Sequence, residues 1–341
     1  MVKITNKKIP FKISQSLRKY LIDYGRENQM PLSYLDLNRF NNSIPLYDKK
    51  GKDTLWVTVF YPQDDMLFIY DALKKIYAIL KADGDLSVMQ HLSVDRIDLC
   101  MYGNSKPFRI RIVNQINDNF DYFYIKNADA SRIYGLELEH ILSPNSMNFF
   151  TDGDTLIEEH IVGIPGDMFI NEYLNDRNIN KIRLAKEFVK FNERCLVRLL
   201  GDMHSSNYVV AITPDFEEVE YRIRATDFDQ QSYEGKKLVY MPQYFTQNNA
   251  IIKIGMEVLT PESVIQYQKE ERSMIASRMK SHRYRIKELG DAVRHDVISI
   301  PANVDRLRKE LAEHYNYKEF LRCKNMGAIV RTSLRIILRS R

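Results

Sequence analysis

The sequence predicts an α+β fold, in which a small antiparallel sheet carrying one helix precedes a helix-rich unit. Three observations lead there. Between residues 95 and 126, three runs rich in β-branched and aromatic residues are separated by turn-forming Gly, Asn, Asp and Pro. In the middle run Phe108, Ile110 and Ile112 alternate with Arg109 and Arg111, the period of two expected of a half-buried strand. From about residue 180 onward, apolar residues mostly recur at helical spacing, and 341 residues are enough for two lobes, each with its own core.

The elements follow in order. KISQSLRKYLIDYG reads as a short amphipathic helix from about Ser14 to Tyr24, ended by Gly25, and residues 30–53 read as irregular and turn-rich. TLWVTVFY (54–61) has strand composition. Leu73, Ile76, Tyr77 and Leu80 form a helical stripe stopped by Asp83-Gly84. Strands are expected at 95–102, 108–113 and 120–126, joined by GNSKP and NQINDN as successive hairpins. A helix over 130–142, with Asp129 as N-cap, ends at Ser143-Pro144-Asn145. TLIEEHIVG (155–163) reads as one more strand.

NKIRLAKEFVKFNERC forms a helix with Ile182, Ala185, Phe188, Val189 and Asn192 on one side. YVVAIT and VEYRIRA form a hairpin around PDFEE, and helices follow at about 261–289, 304–315 and 317–338. The last is amphipathic, docked by Ile329, Leu334 and Ile337 with Arg331, Arg335 and Arg339 on a solvated face. No internal repeat or low-complexity tract is present.

Composition narrows the function classes. Hydrophobic content of 44% and charged content of 28% describe an ordinary globular protein. A net charge of +5 is too small to argue for nucleic acid, although it favours phosphorylated ligands. Cys100, Cys195 and Cys323 lie far apart, which excludes a zinc knuckle and argues against a disulfide framework. Cys100 and Cys195 sit in apolar runs and read as core fillers. No window approaches the apolar length of a membrane span, and MVKITNKKIPFKIS lacks the pattern of a signal peptide. The expectation is a cytoplasmic protein without membrane or nucleic-acid partners.

The most informative segment is GDMHSSNYVV (201–210), followed by ATDFDQ (225–230). Asp202 and Asn207 stand just before an apolar run, and Asp227 follows at the end of a second one. Three oxygen-bearing side chains in this order suit chemistry on a nucleotide phosphate. One carboxylate can orient or deprotonate an attacking hydroxyl, while an amide oxygen and a second carboxylate hold magnesium, which prefers oxygen ligands.

On these residues the chain resembles the protein-kinase-like superfamily, most closely its aminoglycoside-phosphotransferase and small-molecule kinase branch. That branch carries H-G-D-x-H-x-x-N and then a magnesium-binding Asp in an I-D-F or I-D-W context. Gly201, Asp202, His204 and Asn207 match position by position, and Asp227-Phe228 matches the second motif. The family's leading His is Leu200 here, and Asp229 stands where protein kinases have Gly.

The resemblance implies a two-lobed fold: an N-terminal accessory region (1–93), a sheet lobe (94–161) and a helical lobe (162–341). It implies ATP and magnesium as cofactors. Asp202 becomes the catalytic carboxylate, His204 the organiser of the catalytic loop, and Asn207 and Asp227 the metal ligands. Lys126, ending its strand, would touch the nucleotide phosphates and pair with a Glu of the following helix. Glu137 and Glu139 project about 200° apart. Glu137 is favoured because it shares the apolar face of Ile133, Tyr134 and Ile141, where a carboxylate needs a partner. Ser105 and Lys106, in the turn with Gly103, stand where kinases keep a phosphate-binding loop. Backbone groups near Glu159, His160 and Ile161 would meet the adenine edge, or Glu158 and Glu159 form a solvated hinge. Asp229 reads as a turn cap.

The implied activity is transfer of a γ-phosphoryl group to a hydroxyl acceptor, a small molecule before a protein. The alternatives are a catalytically idle nucleotide-binding scaffold and a nucleotidyl transferase using the same metal ligands.

Overall fold

In the computed structural model, residues 8–48, 50–82, 84–102, 105–214 and 219–339 are described. The expected turns at Asp83, at Gly103 and at residues 215–218 lie outside them. The chain divides into two compact units, residues 12–129 with 147–160, and residues 1–11 with 130–146 and 161–341.

The first unit is built on a seven-stranded, wholly antiparallel sheet of order β1-β2-β3-β4-β5-β7-β6. Helix α1 (Gln15–Asp23) starts at Ser14, whose hydroxyl accepts from Leu17 N–H, and the single turn α2 (Tyr34–Leu37) is closed by a Ser33–Asp36 capping box. Strands β1 (Asn42–Tyr47) and β2 (Asp53–Phe60) lead to α3 (Gln63–Lys81), and then to β3 (Leu92–Cys100), β4 (Phe108–Asn114) and β5 (Phe120–Asn127). After an excursion into the other unit, β6 (Phe149–Asp152) and β7 (Thr155–Glu159) complete the sheet.

Alternation does the work expected of it: Phe108, Ile110 and Ile112 are buried, together with Leu73, Ile76 and Leu80 of α3. On the opposite parity, Asp98 is fully buried and holds Arg96 and Arg109, while Arg109 stacks on Trp56 with its guanidinium carbon 4.4 Å from the ring centroid.

Two expectations change here. Residues 30–53, read as irregular, contain α2 and the edge strand β1; polar residues and Pro45 mask a strand whose faces are largely exposed. The boundary placed after residue 93 falls inside β3, and β1, β2 and α3 belong to the same sheet unit rather than to an accessory region.

The second unit begins with α4 (Ala130–Leu142), in which every residue except His140 is buried. A three-stranded sheet of order β10-β9-β8 follows from β8 (Ile164–Pro165), β9 (Tyr208–Pro214) and β10 (Val219–Ala225). Between β8 and β9 lie the short α5 (Gly166–Met168) and the long α6 (Lys181–Arg198), whose N-cap Asn180 accepts from Arg183 N–H. The rest is helical: α7 (Asn249–Val258), α8 (Pro261–Ser281), α9 (Arg283–His295), α10 (Pro301–His314) and α11 (Met326–Arg339).

α7 is an addition to the sequence reading. The single helix expected over 261–289 breaks at His282 into α8 and α9, and residues 318–322 form a 3₁₀ turn before α11 instead of its first turn. α4, expected in the sheet lobe, belongs to the helical unit. Among the described residues no helix is long and apolar enough to cross a membrane.

Gly166 ties this frame to the loop that follows α6. A Cβ there would lie 2.5 Å from the Ser205 carbonyl oxygen and 2.3 Å from the Tyr208 ring. Gly166→Ala is therefore expected to destabilise the protein by about 1–3 kcal/mol, the cost of overpacking a closed contact. Urea unfolding would measure it; a variant as stable as the parent would show that the 205–208 segment yields freely.

Candidate functional site

The loop from Leu199 to Asn207 is shaped by backbone geometry. Leu199 caps α6 in the left-handed region, at φ 55°. Asp202 is also left-handed, at φ 63°, a conformation costly for most side chains but tolerated by Asp. Local bonds offset that strain. Asp202 N–H donates to Val239 O at 3.0 Å, and the Asp202 carbonyl accepts from His204 N–H and from Asn207 Nδ2, both at 2.9 Å.

Two further bonds finish the loop. The His204 carbonyl accepts from Asn207 N–H, closing a 3₁₀ turn at Ser205–Asn207. His204 Nδ1 accepts from Ser206 N–H at 3.3 Å, so the ring's proton sits on Nε2. Burial lowers the His204 pKa, against a smaller opposing pull from Asp227 and Asp167. A neutral ring that caps a turn fits the role of loop organiser.

The hairpin β9–β10 then returns the chain beside the loop. Thr226 N–H donates to the Asn207 carbonyl at 2.9 Å, which sets Asp227 next in line. Asp202, Asn207 and Asp227 are thus gathered by main-chain bonds within one unit. Burial first, and then the neighbouring carboxylates of Asp227, Glu234 and Asp229, raise the Asp202 pKa to about 7.

A cap expected of Asp229 is supplied by Asp227. Asp227 Oδ1 accepts Asp229 N–H at 3.0 Å, forming the Asx-type turn, while Asp229 Oδ1 receives a guanidinium. That guanidinium belongs to Arg132 of α4, a residue the sequence reading missed. Its Nη1 lies 2.8 Å from Asp227 Oδ1 and 2.7 Å from Asp229 Oδ1, and the side chain is 2% exposed. Lys8 Nζ adds a bond to the Asp229 carbonyl at 2.6 Å. A second missed residue is Asn248, fully buried, whose Nδ2 donates to Met203 O and Pro242 O and whose Oδ1 accepts from Tyr208 Oη. The sequence carried no clear signal for Arg132, because Ser131, Glu137, Glu139 and His140 give α4 a mixed pattern, and its burial is a fact of the structure.

Lys126 and Glu137 fall in different units, and each has another partner in its own. Lys126 Nζ donates to Glu158 Oε2 at 2.8 Å, across the β5–β7 pairing. Glu137 accepts from Arg285 Nε at 2.6 Å, and Glu139 pairs with Arg198. Glu158 is 3% exposed, so it is no solvated hinge residue. Glu159 accepts from Asn148 N–H at 2.8 Å and pairs with Lys81, and its own N–H is committed to the Asn148 carbonyl. Ile161 is buried at the start of the helical unit's long segment. Lys106, beside Ser105, is left-handed at φ 39°, and its carbonyl accepts from Tyr34 Oη.

Among the described residues, no group of three or more His, Cys, Asp or Glu side chains stands in metal-binding geometry. The donors to be tested are oxygens of Asn207 and Asp227, which suit magnesium in kind, since that ion takes one or two protein ligands and completes its shell with phosphates and water. The three cysteines are unpaired by disulfides, and burial pushes Cys195 up to about 12, as befits a core filler.

No protein-family model matches the chain, and no curated relative does. Among solved structures, the chain is similar to titin kinase and its flanking domains at 13% identity and a TM-score of 0.27. The likeness covers 72% of this chain and 54% of the other, so the chain spans about half the length of that structure. A TM-score that low does not establish a shared fold.

The electrostatics make two predictions. The folded state holds a proton on Asp202 that the unfolded chain releases near pH 4, so this group destabilises the fold as pH rises from about 4 to about 7. Asp202→Asn should be more stable than the parent at pH 8, by about 1–2 kcal/mol after allowance for solvent screening, and equal to it near pH 4. Thermal unfolding across that range checks the sign. Arg132→Met should cost about 1–3 kcal/mol, because it removes the buried guanidinium shared by Asp227 and Asp229, and thermal unfolding checks that cost too.

Proposed function

We propose that the chain is an ATP- and magnesium-dependent phosphotransferase of protein-kinase-like, two-lobed fold, in the manner of the aminoglycoside-phosphotransferase branch. It would move a γ-phosphoryl group to a hydroxyl, of a small molecule before a protein. One observation carries the reading: main-chain and amide bonds draw Asp202, Asn207 and Asp227 into a single loop system.

Asp202 is suited to orient the acceptor hydroxyl and take its proton, since it is a half-buried carboxylate at the head of the loop, beside the oxygens that would hold the metal. The Asn207 amide is oriented by its Nδ2 bond, which leaves Oδ1 as its oxygen donor to a cation. Asp227 would supply the second donor. Bound magnesium would neutralise the phosphates and the crowded carboxylates. Lys126, Ser105, Lys106, Glu159 and Ile161 keep their nucleotide roles on the resemblance alone, with Glu158 in place of Glu137 as the carboxylate that orients Lys126. Positioning and charge neutralisation would supply most of the rate.

A second reading has its own observation. Arg132 places a cation on Asp227, the residue that would otherwise hold magnesium. In a nucleotide-binding protein that no longer transfers phosphate, that guanidinium would stand in for the metal. Arg132→Met would then gain magnesium-dependent nucleotide binding.

Incubation with magnesium and ATP labelled at the γ or the α position separates the possibilities. Label from the γ position, on the protein or in a metabolite extract, is the expected result. Transfer from the α position would identify a nucleotidyl transferase, and binding without transfer the idle protein. Asp202→Asn should keep nucleotide affinity and lose turnover by about 100-fold or more, the scale of a lost general base. Asp227→Ala should lose magnesium-dependent binding. Full activity in both variants would remove these residues from candidacy.

A further inference from the structure

The helical unit contains a cavity of about 340 Å³, bounded by α4, α8, α9 and α11 together with Ser232 and Ile298. Its size lies in the range of small-molecule sites. The floor is apolar, made by Leu138, Leu289, Val293, Val330 and Leu334, each at most 5% exposed. The rim is cationic. Lys280, Arg283, Lys287, Arg331 and Arg335 all line it, and no Asp or Glu does.

Counter-charges around this rim are few. Arg331 has a partner, Asp291, at 3.5 Å, and Arg283 donates to the Tyr284 hydroxyl. Glu288 is exposed next to Lys287 in the chain. For Lys280, Lys287 and Arg335, no carboxylate lies in ion-pair range among the described residues, and all three are exposed. Surface cations are usually interspersed with acids on a helical face. Five cations around an apolar hollow are a charge pattern that a neutral ligand would not require. The hollow is also concave and bounded, which suits one short chain better than a flat protein face.

We propose that this cavity binds a single-chain anionic amphiphile, with its alkyl tail against the α9–α11 floor and its headgroup among Lys280, Lys287 and Arg335. The inference does not rest on the phosphotransferase reading. The headgroup chemistry is an oxyanion, which a carboxylate or a phosphate monoester could supply. Burial of the tail supplies affinity, and the rim supplies charge selectivity. The site also borders the chemistry described above: Tyr134, two residues from Arg132 on α4, lines the cavity, as does Ser232 at the end of the segment that carries Asp227 and Asp229. Tyr134 is itself anchored, its hydroxyl donating to Asp296 at 2.6 Å.

Calorimetric titration with dodecanoate, dodecyl phosphate, dodecanol and dodecyltrimethylammonium, each below its micelle concentration, tests the proposal on the full chain. Both anionic probes, or one of them, should bind at least about tenfold more tightly than the alcohol and the cation, and the tighter anion identifies the headgroup. Lys280→Glu combined with Arg335→Glu should weaken the anion by about tenfold or more and leave the alcohol unchanged. Gly290→Leu should abolish binding by filling the space; an added Cβ there meets nothing closer than 3.4 Å, so the fold has room for it. Thermal unfolding confirms that both variants fold. Equal binding of all four probes, no binding of either anion, or unchanged binding to a folded Gly290→Leu would each overturn the assignment.

Discussion

The helical unit is organised by the burial of α4 on all sides. A helix enclosed in this way ordinarily carries only apolar residues, yet α4 brings Arg132, Glu137 and Glu139 inside with it. Each charge must then find a counter-charge, because an unpaired buried ion costs several kcal/mol. Arg132 takes Asp227 and Asp229, Glu137 takes Arg285, and Glu139 takes Arg198. Three separate parts of the unit are thereby fixed against one helix: the segment after β10, helix α9 and helix α6.

The same arrangement sets the electrostatics of the candidate site. Arg132 is committed to Asp227 and Asp229, whereas Asp202 lies in partly buried surroundings with those carboxylates as neighbours. Its pKa rises for that reason. The unit therefore places a restrained acidic pair beside a carboxylate poised near neutrality. That combination is sensitive to any cation that changes the balance. The cavity proposed for an amphiphile shares this helix: α4 supplies Arg132 to the acidic pair and Tyr134 and Leu138 to the cavity wall.

Much of the local structure was legible in the sequence. The alternation of Phe108, Ile110 and Ile112 places β4, the Leu73–Leu80 stripe places α3, and the loop 201–207 and Asp227 were found by residue type and spacing. Edge strand β1 and helix α7 were not, because β1 lacks a buried face and α7 lies in a polar, 3₁₀-rich neighbourhood. The break at His282 was missed because no Gly or Pro marks it. The accessory region dissolved into the sheet for a related reason: the strand period shows that β2 exists, but not that it hydrogen-bonds to β3 some forty residues later.

The sequence by itself determined where α1, α4, α6 and α8 begin, which faces of β4 are apolar and which segments carry Asp202, Asn207 and Asp227. These are encoded within a few residues, by caps, periods and turns. Only the tertiary structure decided the partners of the buried charges. It gave Lys126 to Glu158, Glu137 to Arg285 and Asp227 to Arg132. These pairs join residues 32, 148 and 95 positions apart in the chain, and a charge selects its partner by distance and burial in space, which no local pattern records.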